Sequence, residues 1–267
     1  MKISLIQMDV ARGDTERNYR RVSELVREAA EHDGDVIVLP EMWNTGYALE
    51  RVQDISDPEG RRTKALMSEL SSQHKVNIIA GSIAFRHGED VFNTLMVFDR
   101  HGDKVAEYSK IHLFRLMNEH KYLQPGSRPC TFELEGVSFG AIICYDLRFP
   151  ELSRLLALNG AEVLVVPAQW PYPRLGHWKT LLEARAIENQ FFVAACNRVG
   201  VDPDNTRFFG YSRVIDPWGE ITGQITDEKE GILTVEIDLT QIGKVRETLP
   251  VFQDRKPPLY EQGHFPS

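Results

Sequence analysis

DVIVLP (35–40) and EVLVVP (162–167) decide the fold. Each is a continuous apolar run of strand length closed by a proline, the pattern of a strand covered on both faces. Each also follows a helical stretch and a turn, with Gly34 before the first run and Gly160-Ala161 before the second. One half of the chain therefore echoes the other. Two such halves predict two sheets related by an approximate two-fold and stacked face to face, with helices on the outer faces to bury what remains apolar. The fold class expected is α/β, a four-layer α-β-β-α sandwich.

Working outward, KISLIQM (2–8) reads as a short strand, and Asp14 or Thr15 can cap a helix whose Tyr19, Val22, Leu25, Val26 and Ala29 recur at the spacing of a buried stripe. Gly34 is expected to close it. A second helix is predicted from about Glu59 to His74, followed by a meander of VNIIAGSIAF (76–85), VFNTLMVFD (91–99) and KVAEYSK (104–110). After an irregular stretch (111–130) come TFEL (131–134) and VSFGAII (137–143), then a helix opened by Pro150 and running to about Asn159. A further helix, from about His177 to Glu188, precedes the strand FFVAACN (191–197), and shorter strands fall in YSRVID, EITGQI and GILTVEI. No Ser/Gly-rich linker or low-complexity segment interrupts this order, so residues 1–267 read as one domain. The polar, Pro-rich stretch over about 240–267 is expected to be an extended tail packed along the surface or a neighbouring subunit.

Composition narrows the function. With 31 Lys+Arg against 39 Asp+Glu the net charge is −8, and no basic tract has the density that a phosphate backbone demands, which excludes nucleic acid or an anionic membrane as the main partner. No apolar run approaches the roughly 20 residues of a spanning helix, and MKISLIQMDVARGD lacks the apolar core of a signal peptide. A cytoplasmic location is expected. Three widely spaced cysteines, Cys130, Cys144 and Cys196, fit neither a disulfide framework nor a zinc knuckle. Nothing resembles H-E-x-x-H, a Walker loop or G-x-G-x-x-G, so no metal and no cofactor are expected. Ser72-Gln73-His74-Lys75 satisfies S-x-x-K without its companion motifs and reads as the end of a helix.

Chemistry gathers beyond the carboxyl ends of strands in α/β folds. Here DVIVLP is followed at once by Glu41, KVAEYS by Lys110 and VSFGAII by Cys144. Taken singly these are a solvated cap, a surface charge and a buried thiol. Taken together, LPEMWNTGY (39–47), YSKIHLF (108–114), ICYDLRFPEL (143–152) and VPAQWP (166–171) closely resemble the nitrilase, or carbon-nitrogen hydrolase, superfamily, over a span from the first strand to about residue 240. The resemblance implies the nitrilase-like sandwich and a Glu-Lys-Cys triad of Glu41, Lys110 and Cys144. It also places at Glu119, within RLMNEHKYLQPG (115–126), a second glutamate that positions the substrate and Lys110.

The residue types suit the reaction. Acyl transfer to a thiol and then to water divides amide hydrolysis into two lower barriers. A free thiol, with a pKa of about 8.5, needs an acceptor for its proton or a cation that favours the thiolate. Glu41 is the acceptor, while the Lys110 ammonium and the backbone N–H of Tyr145 would donate to the oxyanion. Trp43, Tyr47 and Trp170 are candidate pocket walls, and Arg148 is a candidate for a substrate carboxylate, although a structural salt bridge is the stronger expectation for it. His177 is the tempting partner for a Cys-His pair, without a local signature to support it.

The flanking words WNTGY, HLFRLMNEHKYLQPG and VIDPWGE most resemble the ω-amidase branch, in particular its bacterial methionine-salvage type. That resemblance implies a small-molecule amide substrate, the ω-amide of a 2-oxo acid: 2-oxoglutaramate and water would give 2-oxoglutarate and ammonia. An aliphatic amidase, an N-carbamoyl hydrolase or a deaminated-glutathione amidase would use the same residues, and an idle binding scaffold is the reading outside enzymes. The anionic end of a 2-oxo acid calls for a cation, with Arg115, Arg148, Arg174 and Arg198 as candidates. A homodimer or higher homo-oligomer, paired through helices at about 150–159 and 177–188, is also what the resemblance implies.

Overall fold

The computed structural model describes residues 1–261. The first half of the chain runs β1 (Lys2–Gln7), α1 (Thr15–Ala30), β2 (Val36–Val38), α2 (Val52–Ile55), β3 (Asp57–Pro58), α3 (Arg61–His74), β4 (Asn77–His87), β5 (Asp90–Phe98), β6 (Lys104–Ser109) and α4 (Glu119–Tyr122). The second runs β7 (Cys130–Leu134), β8 (Val137–Ala141), α5 (Pro150–Leu158), β9 (Val163–Ala168), α6 (Leu175–Asn189), β10 (Phe192–Asn197), β11 (Val199–Val201), β12 (Arg207–Phe209), β13 (Arg213–Ile215) and β14 (Ile221–Gln224). The chain then returns to the first sheet with β15 (Gly231–Glu236) and continues through α7 (Thr240–Thr248), α8 (Val251–Asp254) and α9 (Pro257–Glu261).

One sheet has the order β15-β1-β2-β4-β5-β6, with β3 beside β4, and the other β14-β13-β10-β9-β8-β7. Read from β15 in the first and from β7 in the second, the pairings follow one pattern: antiparallel, parallel, parallel, antiparallel, antiparallel. The strands of the echo, β2 and β9, hold the same third place in their sheets. The approximate two-fold is thus a property of the topology.

Alternation distributes the side chains. Val36 and Val38 turn inward to the core shared with β8 and β9, whereas Ile37 turns outward to Val22, Leu25 and Met67 of α1 and α3. Leu156, Trp178 and Leu182 of α5 and α6 cover the other sheet. Fully burying each such side chain contributes roughly 1.5–3 kcal/mol. Asp14 caps α1 by accepting from the Arg17 N–H at 3.0 Å, but it is Asp33, at φ 56°, and not Gly34 that takes the left-handed turn after it. The expectation of an extended tail is corrected: residues 240–261 form three short helices. Asp238 Oδ1 accepts from the Thr240 N–H at 3.0 Å, and Ile242 and Val245 are buried one turn apart, which is enough to hold α7 down. Residues 262–267 of that expected tail lie outside the described residues.

One irregularity prepares the site. The register of β4 against β5 shifts between Ile79 and Ser82, and Gly81 in this bulge has φ +55°. Its missing side chain lets the backbone of Leu39-Pro40 approach, since a Cβ there would overlap both carbonyl oxygens. Ser82 then donates its N–H to Pro40 O at 3.1 Å and accepts from the Met42 N–H through Oγ at 3.0 Å, seating Glu41 between them. Gly81→Ala should lower the unfolding free energy by about 2–4 kcal/mol, combining left-handed strain with overpacking. Urea denaturation checks this, and a loss below about 0.5 kcal/mol, the size of an ordinary surface substitution, would contradict the account.

Candidate active site

The loops after β2, β6 and β8 converge between the sheets, and α4 closes over them. Glu41, Lys110 and Glu119 are each 0% exposed and Cys144 is 6% exposed. The Lys110 ammonium lies 2.8 Å from Glu41 Oε1 and 2.7 Å from Glu119 Oε1. Burial opposes its charge, but the two carboxylates outweigh burial and hold its pKa above the ordinary lysine value. Lys110 therefore stays an ammonium and cannot serve as the base.

Glu41 is held on every side. Oε1 accepts from Lys110, from Asn93 Nδ2 at 2.8 Å and from the Tyr47 hydroxyl at 2.9 Å, while Oε2 accepts from the Gln169 N–H at 2.8 Å. A carboxylate offers about four lone-pair sites across two oxygens. Oε1 is fully subscribed, so Oε2 keeps the lone pair that can take a proton from a thiol. Tyr47 also lies 2.6 Å from Glu119 Oε1, and Glu119 Oε2 accepts from the Phe114 N–H at 2.8 Å. Burial raises the pKa of Glu119; Lys110 opposes the shift and the charge of Glu41 reinforces it.

Cys144 opens a single 3-10 turn, Cys144–Arg148, with φ +46°. A non-glycine residue in this region carries roughly 1–3 kcal/mol of strain, which the surrounding structure must hold in place. The turn points the thiol at Glu41, Lys110 and Glu119 and puts the Tyr145 N–H in a first helical turn, where amides have no intrahelical acceptor. Burial and then the charge of Glu41 push the thiol well above its ordinary pKa, against the opposing charge of Lys110. The resting thiol is neutral.

Phe114, Cys144, Tyr145, Arg148, Gln169, Trp170, Pro171 and Arg174 line a narrow cavity of about 10 Å³ over the sulfur. That is room for about one water and far below the roughly 300–1,000 Å³ of drug-sized sites. Of the expected walls, Trp170 is here, beside Tyr145, which is expected there for its backbone N–H. Trp43 is not: its ring packs edge-on to Tyr19 at 4.9 Å in the core under α1, and its indole N–H donates to Ala80 O at 2.7 Å. Tyr47 serves the two glutamates through its hydroxyl instead of walling the cavity with its ring. The salt bridge expected for Arg148 is likewise corrected, because its guanidinium lies over Trp170 at 4.8 Å and beside His177 Nδ1 at 3.2 Å, with no carboxylate partner among the described residues. Of the other candidate cations, Arg198 is buried on Asp9 and Asp202, Arg115 borders a neighbouring cleft, and Arg174 faces the sulfur cavity. His177 is paired with Arg148, leaving no Cys-His dyad. The described residues hold no cluster of metal-ligating groups.

Residues 2–247 match the family model for carbon-nitrogen hydrolases. The chain belongs to the carbon-nitrogen hydrolase family. The resemblance read from its sequence blocks thus extends over the whole fold, and the chain is an enzyme that hydrolyses amides. Among its relatives, a 2-oxoglutaramate amidase of Bacillus subtilis (strain 168) is 46% identical over 97% of this chain and 98% of its own. The omega-amidase NIT2 of Mus musculus is 32% identical over 97% of this chain and 96% of its own. The crystal structure of XC1258 from Xanthomonas campestris, a CN-hydrolase superfamily protein, superposes with a TM-score of 0.89 at 32% identity, covering 96% of this chain and 97% of that one.

Two supports of this hydrolase's site escape a reading of the sequence. Asn93 sits mid-strand in β5 among apolar residues, and a polar residue facing a buried strand position is the signal for it. Gln169 comes two residues after Pro167, one place beyond the position that matches Glu41 in the echo, and it donates its N–H to Glu41 Oε2 and its Nε2 to Glu41 O at 2.7 Å. A thiol held neutral by burial predicts no thiolate absorbance step at 240 nm below about pH 9 in the difference between wild type and Cys144→Ala. A step near pH 6–7 would show the ammonium prevailing over burial and Glu41.

Proposed function

We propose that this hydrolase cleaves the ω-amide of a short 2-oxo acid, 2-oxoglutaramate and water giving 2-oxoglutarate and ammonia, through a thioester on Cys144. The observation that carries the substrate class is the pair of guanidiniums, Arg148 and Arg174, in the same small cavity as the sulfur. Arg174 stands over Phe114 at 5.6 Å, with no carboxylate partner among the described residues. Burial lowers its pKa, the charge of Arg148 lowers it further, and Cys144 opposes the shift. Two crowded cations gain from an anion between them. The similarity to a 2-oxoglutaramate amidase and to an omega-amidase supports the same substrate.

The chemistry follows from the contacts. Glu41 Oε2 takes the thiol proton as Sγ bonds to the amide carbon, and the carbonyl oxygen becomes an oxyanion facing the Lys110 ammonium and the Tyr145 N–H. Collapse breaks the carbon-nitrogen bond, and the proton on Glu41 passes to the departing amine to give ammonia. Water then attacks the thioester, giving one proton to Glu41. The product acid leaves, and that proton returns to the sulfur. Glu119 holds Lys110 and orders the Phe114 loop that borders the cavity.

Ammonia release from 2-oxoglutaramate tests the proposal. Cys144→Ala should abolish it by more than about 1,000-fold. Arg148→Ala and Arg174→Ala should each raise KM for the 2-oxo acid about 10- to 100-fold, the loss expected for a charge-assisted bond. Neither should change hydrolysis of an uncharged aliphatic amide more than about three-fold. Equal losses on both substrates, or turnover of N-carbamoyl amino acids alone, would reject the 2-oxo-acid reading.

The assembly we propose is a homodimer, and the location cytoplasmic. No helix among the described residues is long and apolar enough to cross a membrane, and all three cysteines are free thiols. Leu155 and Leu158 of α5 are exposed in a concavity of about 750 Å³ that Arg154, Glu188 and Tyr260 also line. Exposed apolar side chains gathered on one face suit pairing with a second copy. Sedimentation should give a dimer at micromolar concentration that Leu155→Glu/Leu158→Glu converts to monomer; a monomeric wild type would contradict the pairing.

A further inference from the structure

We propose that Asp146 is a positioning residue that fixes the oxyanion-binding ammonium relative to the nucleophile. Its carboxylate is 0% exposed and accepts four hydrogen bonds. Oδ2 takes the Tyr108 hydroxyl at 2.7 Å and the Ile143 N–H at 3.0 Å; Oδ1 takes the His112 N–H at 2.9 Å and contacts His112 Nδ1 at 2.8 Å. The donors are not scattered. Tyr108 and His112 stand two residues before and two after Lys110, while Ile143 immediately precedes Cys144 and Asp146 follows it by two. One carboxylate thus ties the segment leaving β6, in the first sheet, to the segment leaving β8, in the second, on both sides of each reactive residue.

Four donors fill all its lone-pair sites, so the buried charge needs no water and leaves no slack. The Ile143 N–H bond and the Asp146 N–H to Ile143 O bond, at 3.0 Å, also close the turn that keeps Cys144 at φ +46°. Stacking of His112 on Phe149, with centroids 3.6 Å apart and planes 8° from parallel, adds a second tie between the same two segments. An oxyanion donor acts only within about 2.7–3.1 Å of the developing charge, and a misplacement of about 1 Å can cost 100-fold in rate. Asp146 touches neither substrate nor sulfur, so its effect falls on the spacing of groups that do.

The inference rests on Cys144 as nucleophile and Lys110 as oxyanion donor, and the test separates the two readings. Tyr108→Phe keeps the ring and removes one tie; Asp146→Asn keeps the shape and replaces an acceptor by a donor. With 2-oxoglutaramate, Tyr108→Phe should lower kcat about 10-fold and Asp146→Asn about 100-fold, with KM within about two-fold of wild type. The double variant should be no slower than Asp146→Asn alone, since Tyr108 acts through Asp146. Rates are referred to the folded fraction from urea denaturation, and Tyr108→Phe decides the matter if Asp146→Asn fails to fold. Wild-type kcat per folded molecule, a change in KM alone, or multiplicative losses in the double variant would overturn the inference. Ammonia release by Cys144→Ala would overturn the triad reading beneath it. An inactive Cys144→Ala together with a fully active Tyr108→Phe would overturn the Asp146 brace alone.

Discussion

A lysine with no exposed surface, caught between two carboxylates that are equally buried, is the interaction on which the rest depends. Removing an ion of this size from water costs several kcal/mol even after the protein relaxes, and only close partners with filled lone pairs offset it. Lys110 has Glu41 and Glu119 at hydrogen-bonding distance, and those carboxylates have Tyr47, Asn93 and the Gln169 and Phe114 amides. Each supporting donor comes from a different segment of chain, so both sheets and the α4 loop must be in place before any of the charges is tolerable. The same constraint makes the site rigid and keeps Lys110 charged, as the oxyanion-donor role proposed for it requires.

The two-fold explains how so many segments meet. β2 and β9 occupy equivalent places in their sheets, each ends in a proline-containing run, and the residues just beyond, Glu41 and Gln169, bond to each other. A pseudo-symmetric stack brings equivalent strand ends together near its axis. One copy of the motif supplies the carboxylate, and the other supplies the amide that orients it. Chemistry then requires only that the copies diverge in their side chains while keeping their strands.

This is also why the architecture is legible in the sequence. Buried strands of Val and Ile with a common preceding turn specify a topology, and strand ends specify where Glu41, Lys110 and Cys144 emerge. Glu119 was legible only by resemblance, because a lone carboxylate in an irregular stretch has no periodicity to betray it. Trp43 and Tyr47 read as pocket walls because aromatic residues beside a strand look alike in sequence whether they pack in a core, bond through a hydroxyl or line a cavity. Ranking the arginines needed three dimensions: Arg198 is engaged by Asp9, 189 positions earlier in the chain. The helical tail is partly legible, since Ile242 and Val245 have helical spacing, but Pro250, Pro257 and Pro258 mask it.

Proton counting completes the picture of the resting site. The Tyr47 hydroxyl has one hydrogen and two carboxylate oxygens within 2.6 and 2.9 Å, so it can donate to only one of them. The one hydroxyl therefore couples the two glutamates, and burial raises the pKa of Glu119 against the opposing charge of Lys110. As the thiol proton moves to Glu41, the negative charge beside Lys110 passes from that carboxylate to the oxyanion. The ammonium keeps an anionic partner throughout, and the net charge of the buried site does not change in the step.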